Sequence, residues 1–102
     1  MTEYNKLVRD KIPEICAFDG LIPIYHRVSG TQLVVALCKK LVEEALELET
    51  EPSLEELADV HEVVDSLDRQ LGYLPSQIES ARTKKSEEKG SFDLGIILER
   101  VD

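Results

Sequence analysis

Five carboxylates stand at spacings that can do metal chemistry: Glu43, Glu44 and Glu47, then Glu56 and Asp59. No Lys or Arg lies between Lys40 and Arg69, yet that stretch also holds Glu49, Glu51, Glu55, Glu62, Asp65 and Asp68. Like charges three or four residues apart on a helix repel by roughly 0.2–0.5 kcal/mol per pair. Either a solvated surface tolerates this repulsion or a cation relieves it. A hard cation such as Mg²⁺, with Mn²⁺ as the alternative, takes oxygen ligands. It usually keeps a few carboxylates together with water and substrate phosphate. Through such an ion an acidic chain can hold phosphate that it would otherwise repel.

Two helices must position these groups. Thr31 can cap a helix running to about Thr50, with Val34, Leu37, Leu41, Ala45 and Leu48 as its apolar stripe. Ser53 followed by Glu56 is a capping-box pattern, so the next helix starts near Leu54. It carries Leu57, Val60, Val64, Leu67 and Leu71 on one face and stops at Gly72. At 100° per residue, Glu44 lies about 60° and Glu47 about 120° from the centre of the first stripe. Glu56 and Asp59 lie roughly 70° and 130° from the second, in the same rotational sense. The short connection makes the helices antiparallel neighbours, so the two acidic flanks converge. Glu47 pairs in register with Glu56, and Glu44 with Asp59, giving two rungs of a cage; Glu43 lies farther round and supports it from outside. The rival reading is a solvated acidic face, with Glu56 employed only in its capping box. The other acidic residues of the stretch belong to that solvated surface.

Elsewhere, residues 3–12 read as a short charged helix stopped at Ile12 by Pro13, with a further turn over 13–19. IPIYHRVS (22–29) and FDLGIILERV (92–101) read as short strands able to pair in a small β ribbon. Ser76 to about Glu88 forms a last, polar helix ended by Gly90. The expected fold is all-α: one domain over residues 1–102, an antiparallel helical bundle with at most that two-stranded ribbon. A chain of 102 residues has a thin core, so oligomerisation is expected. The net charge of -9 argues against nucleic acid and anionic membranes as partners. Cys16 and Cys38 form no metal-ligand spacing and read as reduced thiols. The polar start MTEYNKLVRDKIPE is no signal peptide, and no apolar run approaches the ~20 residues that span a membrane. A cytoplasmic location is expected.

The pattern E-E-x-x-E (Glu43–Glu47) followed by E-x-x-D (Glu56–Asp59) resembles the all-α nucleoside triphosphate pyrophosphohydrolase superfamily. That group contains MazG-like enzymes, dimeric dUTPases and phosphoribosyl-ATP pyrophosphohydrolase. YNKLVRDKIPEI (4–15), SLEELADVHEVVDSL (53–67) and KKSEEKGSFDLGIILE (84–99) are similar to a small phosphoribosyl-ATP pyrophosphohydrolase-like subgroup. The similarity is weakest from Ala17 to Gly30. It implies a helical bundle that works as an oligomer. The implied reaction splits a nucleoside triphosphate or related nucleotide between its α and β phosphates, giving the monophosphate and pyrophosphate. By matching positions, Glu44, Glu47, Glu56 and Asp59 would ligate Mg²⁺, with Glu43 assisting; Glu47 or Glu43 would orient the attacking water as base. Outside the acidic motifs the enzyme of histidine synthesis is matched only loosely, so the substrate is left open.

Phosphate also needs direct positive contacts. Lys6, Arg9 and Lys11 near the start, and Lys84, Lys85 and Lys89 before Gly90, are the candidates, with Arg9 preferred for its bidentate guanidinium. Lys40 lies near the acidic flank and would tune the carboxylates. His61 falls on the opposite flank, and His26 is assigned nothing. Tyr4, Tyr25, Tyr73, Phe18 and Phe92 can stack on a base, though core packing is the plainer role for each. The alternative function is a non-catalytic helical interaction or regulatory module with a structural metal site.

Overall fold

The computed structural model describes residues 2–102. Four helices form: α1 (Ile12–Phe18), α2 (Gly30–Thr50), α3 (Leu54–Leu71) and α4 (Pro75–Lys89), with no strand among the described residues. The chain gathers into two compact units, Met1–Gly72 and Tyr73–Asp102.

In the first unit α2 and α3 pack against each other across the connection Glu51–Ser53. So short a link makes them an antiparallel hairpin. The α3 start follows from Ser53, whose hydroxyl accepts from the Glu56 N–H at 3.2 Å. Gly72 ends the helix at φ 78°, a left-handed conformation that only glycine adopts without steric cost. The α2 start differs from expectation. Ser29, in an extended conformation, takes the cap position instead of Thr31, and its side chain makes no capping bond.

Leu37, Val63 and Leu67 form the core, with Leu7, Leu33, Val34 and Leu41 packed against it. Leu37 and Leu67 are 5% and 9% exposed, and burying side chains of this kind is worth about 1.5–3 kcal/mol each. The buried face of α3 is turned from the expected stripe. Val63 is 8% exposed, whereas Val64 is 38%, Leu57 43% and Leu71 52%. On α3 the seam runs through positions 56, 60, 63 and 67, and on α2 through 37, 41, 44 and 48. Ala45, expected on the α2 stripe, is exposed. Apolar residues at 57, 64 and 71 share a second face at seven-residue spacing, and that face is left open.

The expected helix over residues 3–12 does not form. Residues 2–9 run without regular structure, and α1 begins at Ile12 with Pro13 in its first turn. Proline lacks the N–H that a first turn leaves unpaired anyway, so here it starts a helix and does not stop one. Residues 22–29 are irregular, and Pro23 within them cannot donate to a sheet ladder.

In the second unit, the Leu74 N–H donates to Gln77 Oε1 at 2.7 Å at the start of α4, and none of this helix's residues is buried. Beyond Gly90, Phe92–Gly95 forms a turn closed by the Gly95 N–H on the Phe92 carbonyl at 3.1 Å. That turn interrupts the expected strand over 92–101. No helix among the described residues is long and apolar enough to cross a membrane.

Candidate functional site

Glu44 lies in the seam of the hairpin, not on its flank. It is 6% exposed, the one buried charged residue among those described. Burial raises its carboxyl above the ordinary range; Lys40 opposes this and Glu47 adds to it. The Lys40 Nζ stands 3.3 Å from Glu44 Oε1 and 3.3 Å from Glu43 Oε2. The sequence expectation that Lys40 tunes the carboxylates is therefore met in the geometry. Glu44 Oε2, however, is buried with no hydrogen-bond partner, and so is Glu56 Oε2. A buried polar atom without a partner costs about 1–3 kcal/mol, more when charged.

Two overlapping carboxylate groups meet at Glu44. One oxygen each from Glu44, Glu56 and Asp59 lie within 4.8 Å of one another, and so do one each from Glu43, Glu44 and Glu47. Oxygens on one Mg²⁺ stand roughly 3–4 Å apart, given metal–oxygen distances of about 2.1 Å. Closure onto an ion therefore needs movements of only about an ångström. The expected Glu44–Asp59 rung is present. Glu47 joins Glu43 and Glu44, not Glu56, so the second rung of the expected cage is replaced by a second group along α2. Glu56 stays available because only half of its capping box forms. Its N–H uses Ser53, while the Ser53 N–H donates to the Glu51 carbonyl at 2.8 Å.

The segment before α1 supplies the bases. Leu7 packs on the core and holds the strand of chain across both helices. On one side of it the Lys6 ammonium donates to Glu43 Oε1 at 2.7 Å; on the other the Arg9 guanidinium donates to Asp59 Oδ1 at 2.7 Å. The Lys6 bond, with help from Lys40, lowers the Glu43 carboxyl. The Asp59 bond raises the Arg9 guanidinium further, and the Glu43 bond does the same for Lys6.

Lys11 caps α1 and is exposed, without an ion pair among the described residues. Lys84, Lys85 and Lys89 lie exposed on α4 in the second unit. His61 is exposed, and His26 lines a shallow recess beside Arg27 and Thr31. Of the aromatic residues, Phe18 and Phe92 are almost fully exposed, so neither packs in a core as the plainer reading had it.

Sequence reasoning overlooked a cavity of about 260 Å³ beside Glu43, lined by Asn5, Lys6, Gln32, Lys39 and Lys40 among others. Its signal was available: Gln32, Ala36, Lys39 and Glu43 follow the i, i+4, i+7, i+11 pattern of one helix face. Comparison with protein-family models, with curated proteins and with solved structures found no match for this chain.

Proposed function

We propose that this chain is a Mg²⁺-dependent nucleotide pyrophosphohydrolase of the MazG-like kind, cleaving between the α and β phosphates to release pyrophosphate. The observation that carries the reading is Glu44. A carboxylate 6% exposed, with one oxygen on Lys40, the other unpaired and four acidic neighbours, is a group that a bound cation would relieve. Glu44, Glu56 and Asp59 would hold the ion, with Glu47 beside them. When bound, Mg²⁺ supplies charge neutralisation of the phosphates and a lowered pKa for bound water.

The chain's own residues divide the remaining work. Glu43 is engaged by both Lys6 and Lys40 and its carboxyl is lowered, so it accepts a proton poorly. Glu47 is exposed and in no ion pair among the described residues, which favours it as the base that orients the attacking water. Arg9 and Lys6 reach the rim of the cluster and are the direct phosphate contacts. The open apolar face of α3, and the lack of a fully buried large side chain among the described residues, support a homodimer or homotetramer as the working form. A cytoplasmic setting fits the reduced thiols Cys16 and Cys38.

The test is product analysis. A panel of ribo- and deoxynucleoside triphosphates with Mg²⁺ should yield monophosphate and pyrophosphate, and Asp59→Asn should lose at least 100-fold in rate (roughly 3 kcal/mol) with its helical content intact. Absence of release from every triphosphate and from phosphoribosyl-ATP would leave the non-catalytic module with a structural metal site.

A further inference from the structure

We propose that the cavity between residues 5–7 and the Gln32–Glu43 face of α2 is a subsite for a diphosphate group, the tail of the nucleotide and the pyrophosphate released from it. The identity of that ligand rests on the pyrophosphohydrolase reading; the anion site itself does not.

The cavity measures about 260 Å³ and is lined by Lys6, Lys39 and Lys40 against one acidic residue, Glu43. In a chain with 21 acidic and 12 basic residues, three lysines lining one cavity are a local reversal of charge. Two of them are already oriented. Glu43 holds Lys6 at 2.7 Å and Lys40 at 3.3 Å through its two oxygens, which fixes both ammonium groups at the same rim. Lys39 is exposed and enters no ion pair among the described residues, so its charge is uncommitted. Asn5 and Gln32 add amide N–H donors. Ammonium and amide donors are what a tetrahedral oxyanion requires, and an anion here would share Lys6 and Lys40 with Glu43 while Lys39 serves it alone.

Size selects the part of the ligand. Sites for whole drug-sized ligands run from about 300 to 1,000 Å³, so this cavity takes the phosphate tail and leaves the nucleoside outside. Position agrees. Glu43 lines the cavity and also belongs to the Glu43–Glu44–Glu47 group, so an anion here would border on the carboxylates.

The experiment is calorimetric titration with Mg²⁺ present, using inorganic pyrophosphate, an α,β-methylene nucleoside triphosphate and a nucleoside monophosphate. Lys39→Gln removes one charge from an exposed position, and Lys39→Arg restores it. The expected result is about fivefold or greater weakening of pyrophosphate and of the triphosphate analogue in Lys39→Gln. Monophosphate affinity and Mn²⁺ affinity should stay within about twofold, and Lys39→Arg should recover most of the loss. Pyrophosphate affinity unchanged in Lys39→Gln, or equal weakening of the monophosphate, would overturn the subsite. If no nucleotide is hydrolysed yet pyrophosphate binding still depends on Lys39, the anion site stands and the enzymatic reading falls. Hydrolysis with Lys39-independent pyrophosphate binding gives the reverse.

Discussion

At the residue scale, Glu44 carries the energetic cost of the site. Its carboxyl is raised by burial, so protonation favours the folded state. That contribution is present below the unfolded value and is lost as pH rises through the folded one. At neutral pH the ionised group therefore works against the fold. Glu44→Gln should raise the melting temperature by a few degrees without divalent cations, a gain of order 1 kcal/mol, and should abolish stabilisation by Mg²⁺. Scanning calorimetry with and without Mg²⁺ checks both; a lower melting temperature in the variant would show that the Lys40 pair outweighs the burial. Because a ligating carboxylate must be ionised, the Mg²⁺-induced rise in melting temperature should shrink as pH falls into the range where Glu44 takes up its proton. Glu43 behaves oppositely. Its lowered carboxyl keeps its contribution until the pH falls below the ordinary carboxylate range.

At the element scale, the residues that punctuate helices were legible and the rotation of the helices was not. Ser53 and Gly72 placed α3 correctly because each has one strong physical role, as a hydroxyl cap and as a left-handed stop. Pro13 is ambiguous by nature, ending one helix or starting another, and the wrong choice moved the first helix upstream. The α3 stripe was assigned through Val64 because positions 57, 64 and 71 are as apolar as the seam; periodicity cannot tell a core face from a second apolar face. On α2 the stripe was carried through Ala45, which is exposed, and that put Glu44 on a flank. Its burial was not readable from its own helix alone, since it depends on what α3 places opposite. The segment carrying Lys6 and Arg9 reads as a helix in the sequence and is irregular in the structure, yet it delivers both bases to the cluster. The Arg9 guanidinium on Asp59 Oδ1 offsets part of the negative charge that a cation there would use. Arg9→Gln should therefore strengthen Mn²⁺ binding two- to fivefold in the absence of nucleotide, while weakening nucleotide binding; electron paramagnetic resonance titration measures the first. Weaker Mn²⁺ binding in that variant would remove the competition. Ser53→Ala should cost about 1 kcal/mol by chemical denaturation.

At the scale of the whole molecule, the core is small for the apolar surface carried. Among the described residues, three buried hydrophobic side chains stand against Leu57, Val64 and Leu71 exposed along one helix and Val35, Val42 and Leu46 along the other. An open apolar face of that kind is a contact surface in many helical proteins, and we propose that a second copy of the chain covers it. Val64→Glu should shift sedimentation equilibrium toward the monomer while leaving Glu44 and its neighbours in place; an unchanged mass would show that this face is not the contact. The site itself is drawn from residues of the Met1–Gly72 unit, so truncation after Gly72 should retain divalent-cation binding if that unit folds alone.

The most direct measurement is Mn²⁺ binding followed by electron paramagnetic resonance in the wild type and in Glu44→Gln. Saturable binding that is lost in the variant, and competed by Mg²⁺, is the expected result. Equal binding in both proteins, or none in the wild type, would contradict the assignment of these carboxylates to a cation.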